Sequence, residues 1–264
     1  MDLNLEGKRA VVCGSTQGIG KAVALELALM GASVTLIARN EESLKEVVKE
    51  LHASKNQQHD FICADFSQPE MLKQKVENYF LPKGKAIAHI LVNNTGGPQG
   101  GPIVAAKEEE FIQTFANHLI CNHILMQAVV EGMKAAKYGR IVNIISTSVK
   151  QPLKGLGVSN TVRGAVASWA KTLSVELAPF GITVNNVLPG ATNTSRLVTL
   201  NKAKAERTGK SMDELKKEMV QEIPAGRYAE PFEIANAVAF LASPAAAYIN
   251  GINVPVDGGR TGCL

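Results

Sequence analysis

The chain has 264 residues, of which 45% are hydrophobic and 20% charged, and its formal net charge is +4. This ordinary globular composition disfavours the disordered, fibrous, secreted and integral-membrane classes. A charge of that size, spread over a large surface, gives no concentrated basic face for nucleic acid. Cys13, Cys63, Cys121 and Cys263 are far apart and form no C-x-x-C pair, so neither a zinc site nor a disulfide framework is expected. Scattered thiols suit the cytosol. The opening residues 1–12 carry acidic side chains and no long apolar stretch, and no run reaches the ~18 apolar residues of a membrane span. The expectation is a cytoplasmic protein with no membrane partner, no nucleic-acid partner and no metal.

Short apolar runs alternate with helical patterns along the chain. Residues 9–13 (RAVVC) read as a buried strand and 18–30 as a helix. Residues 33–38 form a second strand, and 41–53 a helix with Leu44, Val47, Val48 and Leu51 at helical spacing. Strands follow at 60–64 and 89–92. A long helix spans 108–136, then a strand 140–145, a helix 162–177 and a strand 182–188. A helix at 232–241 and a short strand at 252–256 close the pattern. Strands apolar on both faces, alternating with helices, predict an α/β protein whose parallel sheet is covered on both sides. No linker or repeat interrupts it, so residues 1–264 are expected to form one domain. The exception is the polar, helix-prone stretch 195–222.

The first strand runs into Gly14-Ser15-Thr16-Gln17-Gly18-Ile19-Gly20, spaced G-x-x-x-G-x-G and opening a helix. Glycines there let the backbone approach a pyrophosphate, and the helix N-terminus offers free N–H groups and a positive dipole end. A plain tight turn would use the same glycines, but the strand–turn–helix context favours a dinucleotide. Where an acidic residue would bind the ribose hydroxyls of NAD stands Ala38, followed by Arg39. A guanidinium suits a 2′-phosphate, so NADP(H) is expected over NAD(H); a solvated loop arginine is the alternative. Asp65, in Ala64-Asp65-Phe66, follows the third strand, and its carboxylate could accept from an adenine amino group or cap a helix. Asn93-Asn94-Thr95-Gly96-Gly97 could line a cofactor channel, brace adjacent strands, or both.

In this order, Gly14-x-x-x-Gly18-x-Gly20, Asp65, Asn93-Asn94-x-Gly96, Ser146 and Pro189-Gly190 resemble the short-chain dehydrogenase/reductase family, over about residues 5–259. Residues 223–227 (IPAGR) and 235–243 (ANAVAFLAS) are most similar to its β-ketoacyl-acyl-carrier-protein reductase branch. The resemblance implies a Rossmann-type, doubly wound sheet of seven parallel strands in a single domain, with NADP(H) at the C-terminal strand edge. It implies a small-molecule carbonyl or alcohol substrate and a homotetramer built through the helices 108–136 and 162–177 and the last strand. Cofactor contacts are then expected from Gly14, Ser15, Thr16, Gln17, Gly18, Ile19 and Gly20, from Arg39, Asp65 and Phe66, and from Asn93, Thr95 and Gly96. Pro189, Gly190, Thr192 and Thr194 complete that set.

Family catalysis uses a serine after the fifth strand to hold the carbonyl and a tyrosine some thirteen residues later to give the proton. A lysine four residues further on holds the nicotinamide ribose, and an asparagine on the preceding long helix anchors a water. Ser146 and Asn117 match the serine and the asparagine. At the tyrosine place stands Ser159 and at the lysine place Arg163, while Tyr79, Tyr138, Tyr228 and Tyr248 lie elsewhere in the sequence. An aliphatic hydroxyl is a far weaker acid than a tunable phenol, and arginine does not deprotonate. Losing a general acid typically costs ~10²–10⁴-fold in rate. Two readings stay open. One is an NADP(H)-dependent carbonyl–alcohol oxidoreductase whose proton comes from Lys150, Lys154, His118 or a water held by Ser146, Ser159 and Arg163. The other is a pseudoenzyme that binds NADP(H) for sensing or scaffolding.

The 195–222 insert carries seven basic side chains against three acidic between Arg196 and Lys217. That suits a lid attracting an anionic substrate, and equally a solvated helix pair. Ser211-Met212-Asp213-Glu214 resembles a capping box and predicts a helix from about Met212.

Overall fold

The strands are β1 (Arg9–Cys13), β2 (Ser33–Ala38), β3 (Asp60–Cys63), β4 (Ile90–Asn93), β5 (Gly139–Ile144), β6 (Ile182–Pro189) and β7 (Asn253–Val256). They form one sheet in the order β3-β2-β1-β4-β5-β6-β7. Every neighbouring pair is parallel. The structure, a computed structural model, describes residues 1–80 and 87–263 of the expected single unit. Its helices are α1 (Gly18–Leu29), α2 (Glu41–Glu50), α3 (Pro69–Phe80), α4 (Glu108–Phe115), α5 (Cys121–Ala136), α6 (Gly157–Leu177), α7 (Ser195–Thr208), α8 (Met212–Gln221) and α9 (Pro231–Ala242).

Strand side chains alternate between two cores, as the pleat requires. Ala10, Val12, Val34, Leu36, Ile90 and Val92 face α1, α2 and α9. Val11, Cys13, Ile37, Leu91 and Ile141 face α3, α5 and α6. Helices on both faces explain why the strands read as continuous apolar runs rather than alternating ones. The order reverses between β1 and β4, so their connections leave in opposite directions and a crevice opens at their carboxyl ends.

The helices depart from expectation most clearly at three places. The long helix 108–136 is α4 and α5 joined by a wider π turn, Ala116–Ile120. The helix expected at 162–177 starts at Gly157 instead. A β-carbon on Gly157 would fall 2.4 Å from the Ile103 β-carbon, so the start is set by a packing contact that only glycine allows. Helix α3 is absent from the sequence reading, and it seals the second core with Leu72 and Val76.

Four asparagines stand side by side across β4, β5, β6 and β7, in register. Asn93 donates to Asn143 at 2.8 Å, Asn143 to Asn186 at 2.9 Å, and Asn186 to Asn253 at 2.8 Å. Asn93, Asn143 and Asn186 are buried. Replacing Asn143 with leucine strands the Asn93 amide nitrogen and the Asn186 oxygen in an apolar layer. The expected cost is about 2–4 kcal/mol of unfolding free energy, read from urea denaturation of wild type and Asn143→Leu. A change below about 0.5 kcal/mol would show that the ladder contributes no net stability.

Candidate active site

The crevice is a cavity of about 540 Å³ along the carboxyl ends of the strands. Its first wall is the glycine turn. Gly14 and Gly18 have φ of +57° and +53°, a left-handed conformation that glycine enters without strain. A β-carbon at Gly20 would sit 2.1 Å from the Gly14 carbonyl oxygen, so α1 packs against the turn only because Gly20 lacks one. Asn94 fastens the turn from just past β4, donating to the Cys13 and Gly14 carbonyls at 3.2 and 3.3 Å. The N-cap residue Gln17 makes no side-chain bond to the amides of the first turn of α1. Those amides remain available to an anion, which is the donor set a pyrophosphate needs.

Beyond β2, Arg39 lines the cavity, and among the described residues it forms no ion pair. Beyond β3, Asp65 accepts from the Ser67 backbone N–H at 2.9 Å. That bond outweighs burial and, with Arg39 nearby, holds the carboxyl below its ordinary pKa, so it is ionised. Asp65 therefore closes a local turn and faces the cavity as well. Asn117 sits on the π turn, where one extra residue per turn pushes side chains out of helical phase. With its amide nitrogen turned to Phe66 it donates to that carbonyl at 2.8 Å and ties α4 to the loop after β3.

At the far end, Ser146 follows β5, and its hydroxyl accepts from the Ser148 N–H at 3.1 Å. Ser159 lines the cavity one turn before Arg163 on α6. Arg163 is 8% exposed and donates to the Ile144 carbonyl at 2.9 Å. Burial, with Arg196 close by, lowers its pKa to about 10, so it remains a cation at neutral pH. Arg196, on the first turn of α7, donates to the Pro98 carbonyl, and burial lowers its pKa as well. His118 is buried behind them and does not line the cavity. Burial and then the Arg163 cation push its pKa well below 6.5, although a bond to the Gly96 backbone opposes this. It is therefore neutral at physiological pH.

Thr194 caps α7, accepting from the Leu197 N–H at 3.4 Å, and it also faces the cavity. Ser195 bonds Gln17 at 3.2 Å, so the insert is attached to the glycine turn. The insert itself is the pair α7–α8, with the Ser211–Glu214 capping box formed. It contributes Arg196, Leu197, Leu200 and Met219 to the cavity wall.

Of the expected cofactor and catalytic positions, Ser15, Gly20 and Asn93 do not line the cavity, and the others do. Ser15 is buried with its hydroxyl on the Ile37 carbonyl, Gly20 packs on the turn, and the Asn93 amide belongs to the asparagine ladder. Lys150 and Lys154 lie outside the wall as well. Among the described residues no tyrosine lines the cavity, no three His, Cys, Asp or Glu side chains gather as a metal site, and no helix is long and apolar enough to cross a membrane. Sequence reasoning missed Arg196 as a wall residue. Its position two residues after the Thr194 cap, in the first turn of a helix starting over the sheet edge, was the available signal.

This sheet order, with its glycine turn at the reversal point, is a Rossmann-like fold. A family model described as enoyl-(acyl carrier protein) reductase matches residues 14–261. The 3-oxoacyl-(acyl-carrier-protein) reductase FabG of Vibrio cholerae is 34% identical over 259 residues, covering 97% of this chain and 98% of that one. L-sorbose reductase from Gluconobacter frateurii, solved with NADPH and L-sorbose, superposes with a TM-score of 0.91 at 31% identity over 100% of both chains. The 3-ketoacyl-(acyl-carrier-protein) reductase from Brucella melitensis, solved with NADH, gives a TM-score of 0.83 at 28% identity, over 98% of this chain and 100% of that one. The chain belongs to the short-chain dehydrogenase/reductase family.

The neutral state of His118 has a measurable consequence. As pH falls below 6.5 the unfolded chain takes up a proton on this residue that the folded protein refuses, so stability present above pH 6.5 is lost towards acid. Between pH 7 and pH 5 this one group is expected to make the folded protein less stable. Denaturation of wild type and His118→Gln at both pH values isolates it: the variant's drop in stability should be the smaller of the two. Equal drops would mean that His118 titrates normally in the folded state.

Proposed function

We propose that the protein is an NADP(H)-dependent oxidoreductase that interconverts a small-molecule carbonyl and an alcohol. In this reading Ser159 and Arg163 occupy the places of the family's tyrosine and lysine. The observation that carries it is the single cavity joining the glycine turn and Arg39 at one end to Ser146, Ser159 and Arg163 at the other. The relatives' reported ligands support a nicotinamide cofactor: NADPH in the L-sorbose reductase and NADH in the Brucella enzyme. Arg39 favours the phosphorylated form, since a planar fork of donors matches a 2′-phosphate.

Bound there, the cofactor would supply hydride chemistry at a carbonyl carbon. The open first-turn amides of α1 hold its pyrophosphate, and Arg39 its 2′-phosphate. Ser146 donates its hydroxyl proton in a hydrogen bond to the substrate oxygen. Arg163, anchored by one N–H to Ile144, keeps donors free for ribose hydroxyls. It stays protonated at neutral pH, so it orients and stabilises charge but passes no proton. A water held by Ser146, Ser159 and Arg163 is the proton source. His118 and the loop lysines lie outside the cavity wall, which argues against a direct role for them. Asn117 braces the π turn. Residues 195–222 act as a lid over the substrate end.

The second reading, a cofactor-binding pseudoenzyme, draws on the same missing phenol. One set of variants separates the two. Wild type should bind NADPH at least about tenfold more tightly than NADH by calorimetry, and Arg39→Ala should abolish the difference. Simple ketones should be reduced poorly. Ser159→Tyr with Arg163→Lys should raise that rate by up to ~10²–10⁴-fold, and neither change alone should suffice, because the phenol needs the ammonium to lower its pKa. NADPH binding with an inactive double variant favours the pseudoenzyme, and tighter NADH binding overturns the cofactor assignment.

The homotetramer is proposed on exposed apolar side chains of the helices expected to pair. Ile112 on α4 is 70% exposed and Val175 on α6 is 67% exposed. Light scattering at micromolar concentration should return four times the chain mass, and a monomer mass overturns the assembly.

A further inference from the structure

Arg163 and Arg196 come from different elements and reach one point in the cavity wall. A β-carbon on Gly97 would lie 3.2 Å from Nη2 of Arg196 and 3.8 Å from Nη2 of Arg163. Both guanidinium groups line the cavity, Arg163 is nearly fully buried, and each depends on a single backbone carbonyl for the hydrogen bond it makes. Among the described residues, neither has a carboxylate within ion-pair distance. The contrast with other arginines is sharp: Arg260, also in the wall, is paired with Glu222, and the exposed Arg227 with Glu233. A buried and a half-buried guanidinium side by side without a counter-charge oppose folding unless an anion joins them.

The cofactor's own anionic groups are held elsewhere in the reading given above. The 2′-phosphate belongs at Arg39 on the β2 end, three strand spacings, or about 14 Å, from the β5 end. The pyrophosphate belongs at the glycine turn. The Arg163 anchor at Ile144 lies two residues before Ser146 on the same chain segment. An anion at the arginine pair is therefore next to the group that would hold the reacting carbonyl.

We infer that Arg196 and Arg163 form a carboxylate subsite, and that the substrate is a short oxo acid whose carboxylate lies one or two carbons from the carbonyl. Arg196 supplies the bidentate fork, and Arg163 the adjoining positive charge. Because Arg196 opens α7, carboxylate binding also fastens the insert over the site. This subsite rests on the oxidoreductase reading for its neighbouring carbonyl, and its own claim is a binding preference.

Calorimetric titration of the NADP⁺-bound protein with 2-oxobutanoate, 3-oxobutanoate and their methyl esters tests it. At least one acid should bind about ten- to a hundredfold more tightly than its ester. Arg196→Gln should erase that preference and leave NADP⁺ affinity within about twofold. Lys202→Gln, which removes the same charge from an exposed position on α7, should leave both unchanged. Arg196→Lys keeps the charge but not the fork, should fall between, and stands in if the glutamine variant fails to fold. Equal binding of acid and ester, no saturable binding of either acid, or equal damage from Lys202→Gln overturns the subsite. Loss of NADP⁺ and acid affinity together in Arg196→Gln overturns it too, by assigning the pair to the cofactor. Failure of wild type to bind NADP⁺ at all would instead bring down the oxidoreductase reading.

Discussion

A parallel sheet cannot connect neighbouring strands by tight turns, so each strand end must release the chain into a crossover. Where the order reverses between β1 and β4, the chain leaves towards opposite faces and no crossover covers the gap. Everything chemical in this molecule follows from that opening. The glycine turn, Arg39, Asp65, Thr95, Ser146 and Thr194 all lie one to five residues beyond the end of a strand, placed by the strand rather than by one another. Asn94 shows how tightly the arrangement is held: one side chain just past β4 bonds two successive carbonyls at the end of β1.

Electrostatics then divides the cavity. The acceptors of the site are few, and Asp65 is engaged by a local N–H, so the cationic groups set its character. Arg39 is open to solvent at one end. Arg163 and Arg196 are withdrawn from it at the other, where their charges are felt most strongly. His118 answers that field by remaining neutral, which lets it bond Gly96 without adding a third charge.

The strands and the glycine turn were legible in the sequence because local rules determine them: apolar runs need two covered faces, and the turn needs residues without side chains. What escaped depended on partners distant in sequence. Helix α3 buries only Leu72 and Val76, too short a stripe to announce itself. The start of α6 is fixed by Ile103 against Gly157, over fifty residues away. Asn93 reads as a channel residue beside Asn94, yet it is turned into the sheet, and only strand register reveals its partner at Asn143. Arg196 looked like one of seven basic side chains on a polar insert, until α7 proved to begin directly over the cavity.

The asparagine ladder also bears on how the sheet assembles. Apolar strands of similar length pair almost as well when shifted by two residues as when aligned, because the same faces stay buried. Parallel sheets are moreover slow to form, with many long-range encounters to sample. A row of amides tolerates no such shift: displacing any of β4 to β7 by two residues sets an asparagine against a residue such as Leu91, Ile141, Val184 or Pro255 in place of another amide. Misaligned collapsed states are thereby raised in energy relative to the aligned one. The four asparagines act as a selection device during folding, discarding wrong alignments before the strand ends that carry the chemistry can be brought together out of step.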